Sequence, residues 1–176
     1  MEQITGEICP ACGKKTLVLG EEVMDIPHFG KCFLMTMSCT DCKFHNADIE
    51  SEEIRAPARY TFEVKNEKDL NTRVVKSSEA TVKIPELRMT ATPGPASIGY
   101  ISNVEGVFKK FKEIVEQQRD NSEEESERKS AKNLLKKMWK VECGEMPITL
   151  VIEDPSGNSA IISDKAKVEP LKGKKK

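Results

Sequence analysis

Cys9-Pro10-Ala11-Cys12 and Cys39-Thr40-Asp41-Cys42 repeat one pattern, two cysteines with two residues between them, and residues 13–38 separate the copies. Each pair can seat two thiolates on one tight turn, so two turns brought together supply the four soft ligands of a tetrahedral zinc ion. Disulfides suit small secreted domains, but the chain opens Met1-Glu2-Gln3-Ile4 without an apolar signal stretch, and 6 cysteines in 176 residues are too sparse for a disulfide scaffold. A thioredoxin-like redox centre needs only one such pair, at a helix start; a second pair at zinc-ribbon distance points to metal. The reading is one structural zinc held by Cys9, Cys12, Cys39 and Cys42. With four cysteine ligands no coordination position is left for water, so the ion folds the chain rather than doing chemistry. Its binding energy, about 10–16 kcal/mol in finger peptides, is folding energy for a segment too short to have much core.

The other metal-capable residues read differently. Cys32 lies in the apolar run Cys32-Phe33-Leu34-Met35-Thr36-Met37 and Cys143 stands alone beside Gly144, so both are expected as small packed side chains. His28 and His45 lie near the pairs but are not needed as ligands, and His45 is placed to hydrogen-bond a thiolate. Gly13 follows the first pair where a positive φ is often required; Lys43 follows the second and is strained if it adopts that conformation.

Working outward, Leu17-Val18-Leu19 and Lys31–Ser38 read as strands on either side of Asp25-Ile26-Pro27-His28-Phe29-Gly30, which is a zinc-ribbon layout. The ribbon is expected over residues 1–55, with a polar exit at Glu50, Glu52 and Glu53. From residue 56 to 164 short strands dominate: Tyr60–Val64, Thr72–Val75, Ala80–Ile84 and Leu87–Thr90, with a turn at Asn66–Leu70 and a break at Pro93-Gly94-Pro95. Ile148–Ile152 and Ser159–Ile162 flank the turn-rich Glu153-Asp154-Pro155-Ser156-Gly157-Asn158 and suggest a hairpin.

Two helices interrupt the strands, over about residues 103–119 and 126–141. Ser102 and Glu105 read as a capping box, and Val104, Val107, Phe108, Phe111 and Val115 share one helical face. Ala131, Leu134, Leu135, Met138 and Trp139 form a second stripe beyond the acidic stretch Asp120–Glu127. Both stripes are expected to pack on their own domain. Lys165–Lys176, with six basic residues and one acid, reads as a disordered basic tail. The expected fold is therefore mainly β with α: an N-terminal zinc ribbon, then a β-sandwich of double-stranded β-helix type carrying an inserted helical hairpin.

Composition narrows the function. No apolar run approaches the roughly 18 residues of a membrane helix, and without a targeting segment the cytoplasm is the expected location. The formal net charge of −1 and the scarcity of aromatics (Trp 1, Tyr 2) weigh against the alternative of a nucleic-acid-binding zinc ribbon in transcription or RNA processing. There is no Gly-rich phosphate loop and no nucleophile paired with a histidine, so the chain is not read as an enzyme.

Several phrases in order resemble the ZPR-type zinc-finger proteins: the cysteine pairs around Ile26-Pro27-His28-Phe29, Arg73-Val74-Val75-Lys76-Ser77, Ala80-Thr81-Val82-Lys83-Ile84-Pro85-Glu86-Leu87, Val104-Glu105-Gly106, and Glu153-Asp154-Pro155-Ser156-Gly157-Asn158-Ser159. The resemblance runs from Cys9 to Ile162. Eukaryotic members carry two copies of a zinc-finger plus β-sandwich module; this chain holds one, as archaeal-type members do. The resemblance implies a non-enzymatic protein that binds translation elongation factor 1-alpha and assists its folding. It also implies Cys9, Cys12, Cys39 and Cys42 as zinc ligands, and marks Arg73, Lys76, Asp154 and Asn158 as candidate partner-binding residues. A single module lacks the avidity that a second linked copy would add.

Overall fold

The two cysteine turns hang on a four-stranded antiparallel sheet of β1 (Glu2–Glu7), β2 (Leu17–Ile26), β3 (Gly30–Cys39) and β4 (His45–Ser51), in the order β1-β2-β3-β4. The structure is a computed structural model that describes residues 2–26, 29–53 and 55–171. The β2–β3 ladder runs unbroken from Leu17↔Cys39 to Ile26↔Gly30, much further than the strand expected at Leu17–Leu19. Glu21 and Asp25 hid the rest of β2, yet both are exposed, and a half-solvated antiparallel strand tolerates charge on its outward face. β1 was not expected, because Glu2–Glu7 has no buried residue to leave a pattern.

The ribbon does not stand alone. Ile26, Phe29, Cys32 and Ile49 join the main apolar core, while its metal end keeps a separate small cluster of Cys9, Leu17 and Cys39 with Leu19, Met37 and Phe44 against it. That split sets which part of the ribbon depends on the sandwich and which depends on the metal.

The second region contains β5 (Ala58–Val64), a one-turn helix α1 (Glu67–Leu70), β6 (Arg73–Lys76), β7 (Thr81–Ile84), β8 (Met89–Ala91), β9 (Tyr100–Asn103), the helices α2 (Val104–Asn121) and α3 (Glu125–Glu142), then β10 (Ile148–Asp154), β11 (Ala160–Ile162) and β12 (Lys167–Pro170). Its strands form a five-stranded sheet, β12-β5-β10-β7-β8, and a three-stranded sheet, β11-β6-β9. Alternate residues of β5, namely Ala58, Tyr60, Phe62 and Val64, are buried between them with Val74, Val82, Ile84, Leu150 and Ile152. Each large aliphatic or phenyl side chain so buried contributes about 1.5–3 kcal/mol. The apolar faces of α2 and α3 close the same core through Phe108, Phe111, Val115, Ala131 and Met138.

Several local expectations are corrected. Ile148–Ile152 and Ser159–Ile162 do not make a hairpin: β10 pairs with β5 and β7, whereas β11 pairs with β6 in the other sheet, so the turn between them crosses from sheet to sheet. The N-cap of α2 is Asn103, whose Oδ1 accepts from Gly106 N at 2.8 Å, not Ser102, which is still in β9. Asn66–Leu70 winds into α1 because Asn66 Oδ1 accepts from the amides of Lys68 and Asp69. The extended run expected at Leu87–Thr90 starts only at Met89, after a 3₁₀ turn at Pro85–Leu87 and a left-handed Arg88. Trp139 leaves the stripe of α3 for solvent. Cys143 is exposed at the end of α3 rather than packed.

The expected basic tail is partly strand. Lys167–Pro170 pairs with Ala58–Thr61 of β5, and Leu171 N donates to Pro57 O at 3.0 Å. All four β12 residues are exposed, so backbone pairing along an open sheet edge, invisible to composition, places them there. Lys165 Nζ further anchors the approach to β12 on Asp69 Oδ1 at 2.8 Å, which with the Lys65 amide holds the Asp69 carboxyl below the usual range. Residues 172–176 of that tail lie outside the described residues.

Candidate metal centre

Cys9 and Cys12 lie on the turn after β1, Cys39 ends β3, and Cys42 lies on the turn before β4. Backbone hydrogen bonds shape both turns: Cys9 N to Lys14 O at 2.8 Å and Gly13 N to Cys9 O at 2.9 Å in the first, and Cys39 N to Phe44 O at 2.8 Å in the second. Each then needs a residue at positive φ, Gly13 at 72° and Lys43 at 62°. Lys43 therefore carries the left-handed strain expected of it. Lys43→Gly is expected to stabilise the zinc-loaded protein by about 0.5–1 kcal/mol, seen as a higher melting temperature with unchanged metal content.

The four Sγ atoms lie within 4.8 Å of one another, with Cys9–Cys42 at 3.7 Å and Cys12–Cys39 at 3.8 Å. A tetrahedron with Zn–S bonds of about 2.3 Å has sulfurs about 3.8 Å apart, whereas a disulfide needs about 2.05 Å. The donor set fits one zinc ion and fits no cystine. Cys9 and Cys39 are buried and Cys42 is exposed, so the site lies under one protein wall at the tip of the ribbon.

Electrostatics lead to the same conclusion. The Thr16 hydroxyl, 3.2 Å from Cys39 Sγ, and then the Cys42 amide stabilise the Cys39 thiolate and bring its pKa to about 6. For Cys42 the Phe44 backbone hydrogen bond lowers the pKa, but partial desolvation at the turn and the neighbouring Cys39, Cys12 and Cys9 sulfurs push it up to about 12. Four clustered sulfurs cannot all carry negative charge unaided; a dication removes the competition. Thr16 had no signal in the sequence, since a lone threonine before a strand is common. His45 does not reach a thiolate: its Nδ1 is 3.0 Å from Ser38 Oγ. His28 lies outside the described residues.

Three of the remaining four candidates, Lys76, Asp154 and Asn158, lie where the ribbon meets the sandwich. Asp154 is fully buried and accepts from Ser77 Oγ (2.9 Å), Ser156 N (2.8 Å) and Ser156 Oγ (2.7 Å). Asn158 Oδ1 accepts from Ser51 N at the end of β4 (3.0 Å). Between them Gly157 has φ 76°, and a Cβ there would lie 2.6 Å from Arg55 O. The turn thus grips the segment that leaves the ribbon, and no other residue type fits at Gly157 without moving backbone. Arg55 reinforces the join, its guanidinium lying 4.1 Å from the Phe29 ring centroid and donating to Phe29 O.

Lys76 is buried and donates to Ser77 O at 2.8 Å; burial holds its pKa below the ordinary lysine range, with Asp154 and Asp48 opposing. Asp48, which was not singled out from the sequence, accepts from Ser78 Oγ at 2.9 Å and Ser78 N at 3.3 Å, bonding β4 to the sandwich. Arg73 alone of the four is exposed, at the start of β6. The structure therefore brings Lys76, Asp154 and Asn158 into one junction and leaves Arg73 outside it, at the other end of β6 between Asn103 and Ile162.

Residues 3–55 match the ZPR1 zinc-finger domain and residues 68–175 the ZPR1 jelly-roll domain. The chain is 39% identical to an uncharacterized ZPR1-like protein of Methanocaldococcus jannaschii, over 97% of this chain and 87% of that one. It is 40% identical to an uncharacterized ZPR1-like protein of Pyrococcus horikoshii, over 93% of this chain and 75% of that one. The zinc finger chaperone zpr1 of Schizosaccharomyces pombe is 32% identical over 88% of this chain, which spans 34% of that longer protein.

Proposed function

Because the chain belongs to the ZPR1 family, we propose that it is a zinc-dependent protein-interaction module that binds translation elongation factor 1-alpha and assists its folding. The family resemblance supplies the partner, and the chaperone name of the fission-yeast relative supports the role. The observation that carries the reading is the open side of the ribbon. β1 is the outermost strand of its sheet and all six of its residues are exposed. Beside it the register aligns Ile4, Leu19 and Met37 across three strands, with Met35 one row further on. They floor a groove of about 780 Å³ rimmed by Glu2, Glu21 and Asp48.

An incompletely folded protein exposes apolar side chains and unpaired strand edges. β1 offers backbone partners for such an edge, and the methionines beside it adapt to side chains of varied shape. Zinc, when bound, supplies the rigid turns from which β1 and β2 project. Binding at this groove covers the partner's apolar surface until its own core buries it, and release follows. Lys76, Asp154 and Asn158 would serve indirectly, by fixing the ribbon on the sandwich, and Arg73 would make direct contact.

The test is refolding of denatured elongation factor 1-alpha with purified zinc-loaded protein, scored by yield of GTP-binding factor and by co-capture. A rise in yield is expected, and Ile4→Asp with Met35→Asp should reduce capture about tenfold while leaving zinc content unchanged. The reading fails if the zinc-loaded protein neither captures the factor nor alters its refolding.

A further inference from the structure

The outer face of α3 carries a second surface, remote in character from the ribbon groove. Residues 128–140 contain Arg128, Lys129, Lys132, Lys136, Lys137 and Lys140 and no acid. Lys129, Lys132, Lys136 and Lys140 follow helical spacing along the side opposite the buried Ala131 and Met138, and all four are exposed. Lys129 is paired with Glu125 at 2.9 Å. Among the described residues, no carboxylate lies within 4.0 Å of Lys132, Lys136 or Lys140.

Beside this stripe stands Trp139, the chain's one tryptophan, 56% exposed. It shares with Leu135, Lys132, Lys136 and Arg119 of α2 a shallow groove of about 580 Å³. Both features work against the isolated fold. Lys132–Lys136 and Lys136–Lys140 are like-charge pairs at i,i+4, which destabilise a helix, and an exposed indole forfeits burial that Met138, one residue earlier, obtains in full.

We infer that this face docks an acidic amphipathic helix of a protein partner, with its carboxylates along the lysine stripe and an apolar side chain on Trp139 and Leu135. Charge complementarity decides the occupant. A second copy of this chain would bring lysine against lysine, since Glu125 is the one acid of α3 on that face. A single nucleic-acid strand would find one stacking platform rather than a series, and would run onto the carboxylates of Glu123, Glu124 and Glu125 at the hairpin tip. A helix of about twelve residues, rising 1.5 Å per residue, spans the stripe from Lys129 to Lys140 and presents acids at matching intervals. Tryptophan is among the residues that most often carry the binding energy of an interface, and complementary charges beside it speed and orient encounter.

The probe is a fluorescein-labelled amphipathic Glu/Leu peptide of about that length, titrated into the zinc-loaded full chain, with single-stranded oligouridylate titrated in parallel. Saturable peptide binding that shifts Trp139 emission and weakens with salt is expected. Lys132→Glu with Lys136→Glu, and separately Trp139→Ala, should each weaken the peptide about tenfold by anisotropy. The neutral pair Lys132→Gln with Lys136→Gln should weaken it less, and it keeps strong helix formers in place should the reversal perturb folding. Ile4→Asp with Met35→Asp should leave peptide binding unchanged, which separates this surface from the ribbon groove. Tighter binding of oligouridylate than of peptide at equal salt, or peptide binding indifferent to the lysine substitutions, overturns the proposal.

Discussion

Stripping the zinc is expected to unfold the tip of the ribbon and leave the sandwich folded. At that tip the apolar content is Cys9, Leu17 and Cys39, flanked by Leu19, Met37 and Phe44, too small a cluster to hold two tight turns by burial alone. The metal contributes about 10–16 kcal/mol in comparable small sites, and without it four sulfurs within 4.8 Å would have to share protons. The other end of the same strands is buried with the sandwich through Ile26, Cys32 and Ile49. Amide exchange after chelation should therefore lose protection in residues 2–19 and 37–46 while β5 and β10 keep theirs. Cys39→Ser should do the same, because it removes the ligand that Thr16 and the Cys42 amide prepare. Loss of protection across the whole molecule at once would mean that the tip is coupled to the core more tightly than these contacts indicate.

Asp154→Ala is expected to cost about 3 kcal/mol or more, as read by urea denaturation of the zinc-loaded protein. The substitution removes an acceptor that is fully buried and leaves Ser77 Oγ and the Ser156 amide without their partner. Each such orphan costs about 1–3 kcal/mol, and Asp154 and Ser77 are both buried away from the solvent that would replace the carboxylate. The turn that follows holds Gly157 against Arg55 O and Asn158 against Ser51 N, so its loosening should also free the ribbon from the sandwich. Faster proteolytic cleavage within residues 52–57 is the accompanying sign. A cost below about 1 kcal/mol, within the range of ordinary surface changes, would falsify the buried-clamp account. If capture of the elongation factor falls while stability and cleavage are unchanged, Asp154 instead contacts the partner.

The zinc ligands were legible because their chemistry is local. A thiolate pair on one turn has one common purpose, and no distant residue changes the identity of Cys9, Cys12, Cys39 or Cys42 as the four sulfurs that meet. The two helices and β5 were legible for a related reason: Val104–Val115 and Ala58–Val64 repeat at 3.6 and 2 residues because one face of each is buried. Residues that leave no such imprint were missed. β1 and β12 are exposed throughout and are held by backbone pairing, to which their side chains contribute no pattern. Asp48 and Thr16 act on Ser78 and Cys39, across 30 and 23 positions of chain.

By itself, then, the order of residues determined the closed metal site, the family, and the elements whose periodicity records a buried face. Tertiary structure decided the rest: that β10 and β11 belong to different sheets, that Asp154 and Lys76 lie inside a junction, and that Trp139 faces solvent among lysines. The division is physical. Turn chemistry and amphipathic period are set by neighbours along the chain, whereas strand partners, burial of single polar groups and the character of a surface depend on which distant segments close over them.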